Sequence, residues 1–198
     1  MKVNWPSFTE EEAEKVKNIL LSNKVNYWTG TECREFEKEF AEWAGTDYAV
    51  AVANGTLALQ IASKIKNLEN RQTITTPYTF AATLTSLEWQ NCPYTIGKID
   101  PYNWNLMPDE VEREVSVGNV NAMLPVNIFG MPCDLDKFEA ISNKYDIPLI
   151  YDSAHSLFSQ YKGKSIFDFG DIHCVSLHAT KLFHSTEGGI LVFKHAED

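Results

Sequence analysis

Tyr48-Ala49-Val50-Ala51-Val52-Ala53-Asn54-Gly55-Thr56-Leu57-Ala58-Leu59 is the stretch on which the reading of this chain turns. Its apolar opening reads as a buried strand, and Asn54-Gly55-Thr56 turns the chain into a helix expected over residues 57–65. Backbone N–H groups at such a helix start, together with the helix dipole, make a ready cradle for phosphate. An ordinary glycine-containing turn with Thr56 as a cap would look the same, so this motif alone is weak.

The alternation continues downstream. Further strands are expected over residues 72–76, 94–99, 121–126, 148–152, 173–177 and 189–193, and helices over 80–89, 108–114 and 135–144. Near-continuous apolar strands separated by helices predict a three-layer α/β domain with a mostly parallel seven-stranded sheet covered on both faces. The last two strands are too close together for a helical crossover, which predicts an antiparallel pair at that end. Upstream, Thr9 with Glu12 three residues on forms a capping-box pattern for a helix running to about Leu21. A second helix from about Thr31 places Phe36, Phe40 and Trp43 at helical spacing and stops at Gly45. The chain thus divides into a helical segment over residues 1–46 and an α/β domain over 47–198. The loop between the helices carries Tyr27 and Trp28, more aromatic surface than solvation needs, and reads as a contact surface.

Composition narrows the function classes. At 198 residues and 44% apolar content the chain has enough material for a substantial core and is not a disordered protein. Seventeen basic against twenty-seven acidic residues give a formal charge of −10, which argues against a polyanion such as nucleic acid as partner. Cys33, Cys92, Cys133 and Cys174 are far apart with no Cys-x-x-Cys, so neither a zinc site nor a disulfide framework is expected. No apolar run reaches the roughly 20 residues of a membrane span, and the N-terminus lacks the core of a signal peptide. A soluble, cytoplasmic protein is expected.

In an open α/β sheet the ligand belongs at the carboxyl ends of the parallel strands. Asp152 closes the strand Pro148-Leu149-Ile150-Tyr151, where a buried carboxylate needs a partner. A pyridinium N–H would serve, although a helix-capping aspartate is the plainer alternative. His155 follows three residues later, Ser176 ends the next strand, and Lys181 lies in the polar segment Ser176-Leu177-His178-Ala179-Thr180-Lys181. Most lysines are surface charges. One beside a phosphate cradle and a buried carboxylate can instead form a Schiff base with a bound aldehyde, provided its surroundings lower its pKa. Phe80, in Pro77-Tyr78-Thr79-Phe80, is placed to stack on an aromatic face. Pyridoxal 5'-phosphate (PLP) has the matching inventory of phosphate, aldehyde, phenolic oxygen, ring nitrogen and aromatic face.

These segments in this order resemble the DegT/DnrJ/EryC1/StrS family of PLP-dependent nucleotide-sugar aminotransferases. The resemblance rests on Thr29-Gly30, the run from Arg34 to Phe40, Asn54-Gly55-Thr56-Leu57, and the segment from Pro77 to Thr83. It continues through Pro125-Val126-Asn127-Ile128-Phe129-Gly130, Tyr151-Asp152-Ser153-Ala154-His155, and Ser176 to Lys181 with Glu187-Gly188-Gly189. It implies the large domain of PLP fold type I, lacking the small C-terminal domain. It further implies that Lys181 is the catalytic Schiff-base lysine and that Asp152 holds the pyridine nitrogen. By the same resemblance Gly55, Thr56, Leu57 (through its backbone N–H) and Ser176 hold the phosphate, Phe80 stacks on the ring and His155 lies by the phenolic oxygen. The implied reaction transfers an amino group, usually from glutamate, to a keto group of a nucleotide-linked deoxysugar in a surface-polysaccharide pathway, with a homodimer as the assembly. Family members are roughly twice this length, so the alternative is a non-catalytic domain that binds cofactor or a partner.

One other chemistry can be written from the same residues, and a metal site from their neighbours. A hydrolase would combine Ser176, His155 and Asp152, but it lacks a Gly-x-Ser-x-Gly elbow and leaves Lys181 idle. A metal site from His173, Cys174, His178 and His184 is disfavoured because residues 173 and 174 point to opposite faces of a strand. A Rossmann dehydrogenase is disfavoured by the lack of Gly-x-Gly-x-x-Gly.

Overall fold

The strand and helix alternation expected from residue 48 onward is present in the computed structural model, which describes residues 6–194. Helix α1 (Glu10–Ser22) opens on a complete capping box, with the Glu12 N–H donating to Thr9 Oγ1 at 3.2 Å and the Thr9 N–H donating back to Glu12 Oε2 at 2.6 Å. Helix α2 (Glu32–Ala44) ends where Gly45 takes the left-handed conformation at φ 77°, which costs a glycine little. Phe40, Ala41 and Ala44 bury its inner face. Trp28, in the loop between them, stands 85% exposed, while the Tyr27 hydroxyl donates to Glu37 and Arg34 lies over the Tyr27 ring.

Strand β1 (Tyr48–Val52) leads into α3 (Gly55–Ile65), then β2 (Thr73–Thr75), α4 (Ala81–Trp89) and β3 (Tyr94–Ile96). They are followed by α5 (Pro108–Ser116), β4 (Ala122–Leu124), α6 (Leu135–Tyr145) and β5 (Ile150–Asp152). A small hairpin, β6 (Gln160–Tyr161) and β7 (Lys164–Ser165), precedes β8 (Ile172–Ser176) and β9 (Gly189–Phe193).

The expected single, mostly parallel seven-stranded sheet is seen in part. The strands form a four-stranded ladder in the order β1, β9, β8, β5 and a three-stranded ladder in the order β3, β2, β4. The two abut where Met123 bridges Leu149 and Val126 bridges Asp152, both in the parallel sense. Parallel pairing joins β2 to β3 and β4, and β5 to β8, whereas β9 is antiparallel to both β8 and β1. The short return from β8 to β9 forces that reversal, as its spacing predicts.

Alternate residues feed two cores, one on each face. Leu149, Tyr151, Val175, Ile190 and Val192 pack with Phe40 of α2, Val111 of α5 and Phe138 of α6. Ile150, Cys174, Leu191 and Phe193 pack with Ala58, Leu59 and Ala62 of α3 and Leu87 of α4. This period of two is what a strand covered on both sides must show. The hairpin β6–β7 was not foreseen, because two-residue strands carry no alternation. Its only sequence signal is Lys162-Gly163, whose positive φ angles of 51° and 78° fit a two-residue turn between antiparallel strands. All four cysteines are free thiols, and among the described residues no helix is long and apolar enough to cross a membrane.

Candidate active site

The carboxyl ends of β5 and β8, the start of α3 and the start of α4 surround one cavity of about 720 Å³. Gly55, Thr56, Phe80, Asp152, His155, Ser176 and Lys181 all line it. That volume lies within the range of small-molecule sites.

The start of α3 is held tightly. Asn54 caps the helix by accepting the Leu57 N–H on its side-chain oxygen at 2.8 Å. This leaves the Gly55 and Thr56 amides as the unpaired donors of the first turn. Leu57 does not line the cavity, and its amide is already engaged by Asn54. Two glycines permit the close approach. A Cβ on Gly189 would meet the backbone carbonyl of Asn54 at 2.5 Å, and one on Gly55 would lie 3.0 Å from the Ser176 Cβ. The first turn of α3 therefore sits directly against the ends of β8 and β9. Ser176 Oγ accepts the His178 N–H at 3.3 Å.

Asp152 is only 5% exposed. Its Oδ2 accepts the Thr83 hydroxyl at 2.7 Å and its Oδ1 accepts the Ala154 N–H at 3.1 Å. No described cation forms an ion pair with it, which leaves a buried carboxylate solvated by neutral donors alone. Beneath it the Asn127 amide donates to Ser153 Oγ at 3.2 Å, and Ser153 lies 2.8 Å from His173 Nδ1. His173 Nε2 is 2.7 Å from the Phe169 carbonyl. A carbonyl only accepts, so Nε2 carries the proton and Nδ1 accepts from Ser153. Both nitrogens of His173 are thus committed to structure.

Lys181 lies in the loop that returns β8 to β9. Paired backbone bonds narrow that loop, from Leu177 N–H to Gly188 O and from Ala179 N–H to Thr186 O, each 2.8 Å. The Lys181 amine is half-buried and makes no hydrogen bond or ion pair with a described residue. Desolvation pulls its pKa below the ordinary lysine value, with the Asp152 charge opposing. His155 is also pulled below its ordinary value, first by desolvation and then by the Lys181 charge. The His155 ring stacks on Phe129 at 6.0 Å with planes 7° apart. His178 Nδ1 accepts the Thr180 N–H at 3.1 Å, which turns Nε2 toward Glu187 at 3.4 Å.

No hydrogen bond links Ser176, His155 and Asp152 to one another among the described residues, so the hydrolase arrangement is not assembled. The site also contains groups that sequence reasoning did not single out. Thr83 contacts Asp152, and Tyr78 and Phe129 line the cavity. Phe129 holds a left-handed φ of 50°, an uncommon conformation for an aromatic residue. Neither its strain nor the reach of Thr83 across the fold has a signature in a single sequence.

Residues 6–197 match the DegT/DnrJ/EryC1/StrS aminotransferase family. The chain belongs to that family. Among curated relatives it is 33% identical over 187 residues to dTDP-4-amino-4,6-dideoxy-D-glucose transaminase of Shigella dysenteriae, covering 94% of this chain and 50% of that protein. It is 32% identical over 187 residues to spore coat polysaccharide biosynthesis protein SpsC of Bacillus subtilis, covering 94% and 47%. An aminotransferase structure from Psychrobacter cryohalolentis superposes with a TM-score of 0.91 at 35% identity, covering 98% of this chain and 50% of that one. The family match thus extends over nearly the whole chain, which spans about half the length of these relatives.

Proposed function

We propose that this chain carries the cofactor-binding part of a PLP-dependent aminotransferase that moves an amino group from an amino acid, glutamate in the simplest case, to a keto group of a nucleotide-linked deoxysugar. The balance is an amino acid and a keto sugar giving a 2-oxo acid and an amino sugar. The observation that carries the reading is a pair of groups without an ionic partner on one cavity: the Asp152 carboxylate, buried and held by neutral donors alone, and the Lys181 amine, half-buried without a hydrogen bond to a described residue. A ligand with a protonated ring nitrogen at one end of its reacting face and a carbonyl at the other satisfies both. The relatives' names support the sugar and the aminotransferase chemistry.

In this reading PLP supplies an electrophilic carbonyl and an electron-withdrawing ring. Asp152 would accept the ring N–H and keep the nitrogen protonated. The Gly55 and Thr56 amides and the Ser176 hydroxyl would donate to the phosphate, aided by the α3 dipole. Leu57 is left out of that set, because its amide already serves the Asn54 cap. Phe80, 75% exposed at the cavity edge, would offer a ring face, and His155, which lines the same cavity, would serve the phenolic oxygen. Lys181 would be the amine placed against that carbonyl, and its Nζ would take up and return a proton as general base and acid. Its lowered pKa favours the neutral amine, the form that can approach a carbonyl or take up a proton.

Absorbance titration of the purified chain with PLP tests this reading. A visible band is expected that is absent in Lys181→Ala, with label fixed on Lys181 after borohydride reduction and peptide mapping. The same band in Lys181→Ala, or label on another lysine, would sink the assignment.

A further inference from the structure

The hydroxyls of Thr79 and Thr83 and the carboxylate of Asp152 form one continuous chain. Thr83, fully buried in the first turn of α4, donates from Oγ1 to Asp152 Oδ2 at 2.7 Å, and Thr79 Oγ1 lies 2.7 Å from Thr83 Oγ1. An ionised carboxylate only accepts, so the single proton of Thr83 is committed to Asp152 and Thr79 must donate to Thr83. Both bonds therefore have a fixed direction. With Ala154 N–H on Oδ1 at 3.1 Å, each carboxylate oxygen holds one donor and the plane of the group is set. Neither donor carries charge, so the carboxylate is oriented without being neutralised.

A buried helical hydroxyl ordinarily returns to its own helix. Ser63 does so by donating to Leu59 O at 2.8 Å, and Ser86 by donating to Thr83 O at 2.9 Å. Thr83 instead reaches out of α4 to a strand-end carboxylate 69 residues away in sequence. Its backbone N–H meanwhile donates to the Phe80 carbonyl at 3.1 Å. One residue therefore ties together the carboxylate and the backbone of the aromatic residue at the cavity edge.

We infer that Thr83 is a positioning residue, which turns the Asp152 carboxylate toward the cavity to receive a ring N–H, and that Thr79 holds Thr83 in the donating rotamer. The inference rests on the PLP reading above. It assigns to the start of α4 a role in selecting a ligand with a protonated ring nitrogen, distinct from stacking on the ring face.

The test compares dissociation constants of the purified chain for PLP and for its 1-deaza analogue, in which C–H replaces the ring nitrogen. Thr83→Val is expected to weaken PLP binding about tenfold, the scale of a lost hydrogen bond to a charged group, and to leave the analogue unchanged. Thr83→Ser, which restores the hydroxyl, is expected to bind PLP like the unmodified chain, and Thr79→Val to show the same selective loss in smaller degree. Equal weakening for both ligands would make Thr83 merely structural and overturn the inference. Should Asp152→Asn discriminate between the ligands while Thr83→Val and Thr79→Val do not, the inference falls and the PLP reading stands. If the unmodified chain binds neither ligand, or both equally with no effect of Asp152→Asn, the PLP reading fails and the inference with it. Where circular dichroism shows that Thr83→Val does not fold, Thr79→Val decides: no selective loss there overturns the inference.

Discussion

His173 shows how a residue beside a site can serve stability rather than chemistry. Burial pulls its pKa from 6.5 down to about 4, and its two nitrogens are held by Ser153 and the Phe169 carbonyl. The folded state thus binds this proton less tightly than the unfolded chain does. Between those two values the unfolded chain carries more protons, so stability rises with pH and is lost as pH falls from 6.5 toward 4. The loss attributable to this group is about 3 kcal/mol. Thermal unfolding of the unmodified chain and of His173→Gln across that window checks it, since the variant should lose much of the pH slope. A sequence shows His173 as one of five histidines and cannot say which is buried. Lys181 stands out from the other lysines of the sequence only because Asp152, Asn54-Gly55-Thr56 and Glu187-Gly188-Gly189 accompany it in order. The fate of Leu57 was not legible, because its amide is taken by a neighbour's side chain and not by anything its own identity dictates.

At the scale of elements, local physical chemistry carried most of the reading. The Thr9 and Glu12 capping box, the Gly45 stop and the Asn54 turn all stand where their side chains predict. Asn54 does two things at once, capping α3 and shaping the turn that presents the Gly55 and Thr56 amides. Asn54→Ala should cost about 1 kcal/mol of stability, while Asn54→Asp should keep the cap. Denaturant unfolding of both variants checks this, and equal stabilities for the two would show that the cap contributes nothing. Strand ends were less legible. The strand expected over 94–99 forms regular pairing only over Tyr94–Ile96, since a ladder stops where its neighbour ends, and β2 offers partners only from Thr73 to Thr75.

The molecule as a whole exposes aromatic surface both at the rim of its site and away from it. Tyr78, Trp104 and Phe129 form a contiguous exposed cluster with ring centroids 5.3 to 6.1 Å apart, and Trp43, Phe158 and Phe183 line a second, apolar groove. Large exposed apolar patches mark surfaces that associate. Light scattering is therefore expected to show concentration-dependent self-association, reduced in a Trp43→Ser, Phe158→Ser double variant. A monomer at all concentrations would count against it. We also expect the 198-residue chain, tested alone, to bind cofactor but to sustain little turnover with glutamate and a keto sugar. Holding one ligand needs only the groups around this cavity, whereas productive turnover needs both substrates oriented and water excluded. A robust aminotransferase rate would refute that expectation.

By itself the sequence determined the class of fold, the order of its elements, the helix caps and the ordered motifs of the family, because periodicity, capping chemistry and glycine turns act over a few residues. Only the tertiary structure decided that the strands form two abutting ladders with β9 lying between β8 and β1, that Gly189 and Gly55 allow α3 to press against β8 and β9, and that Thr83 meets Asp152. Those outcomes depend on contacts between segments far apart in the chain, where packing and the need to satisfy buried polar groups choose the partner. No local pattern encodes that choice.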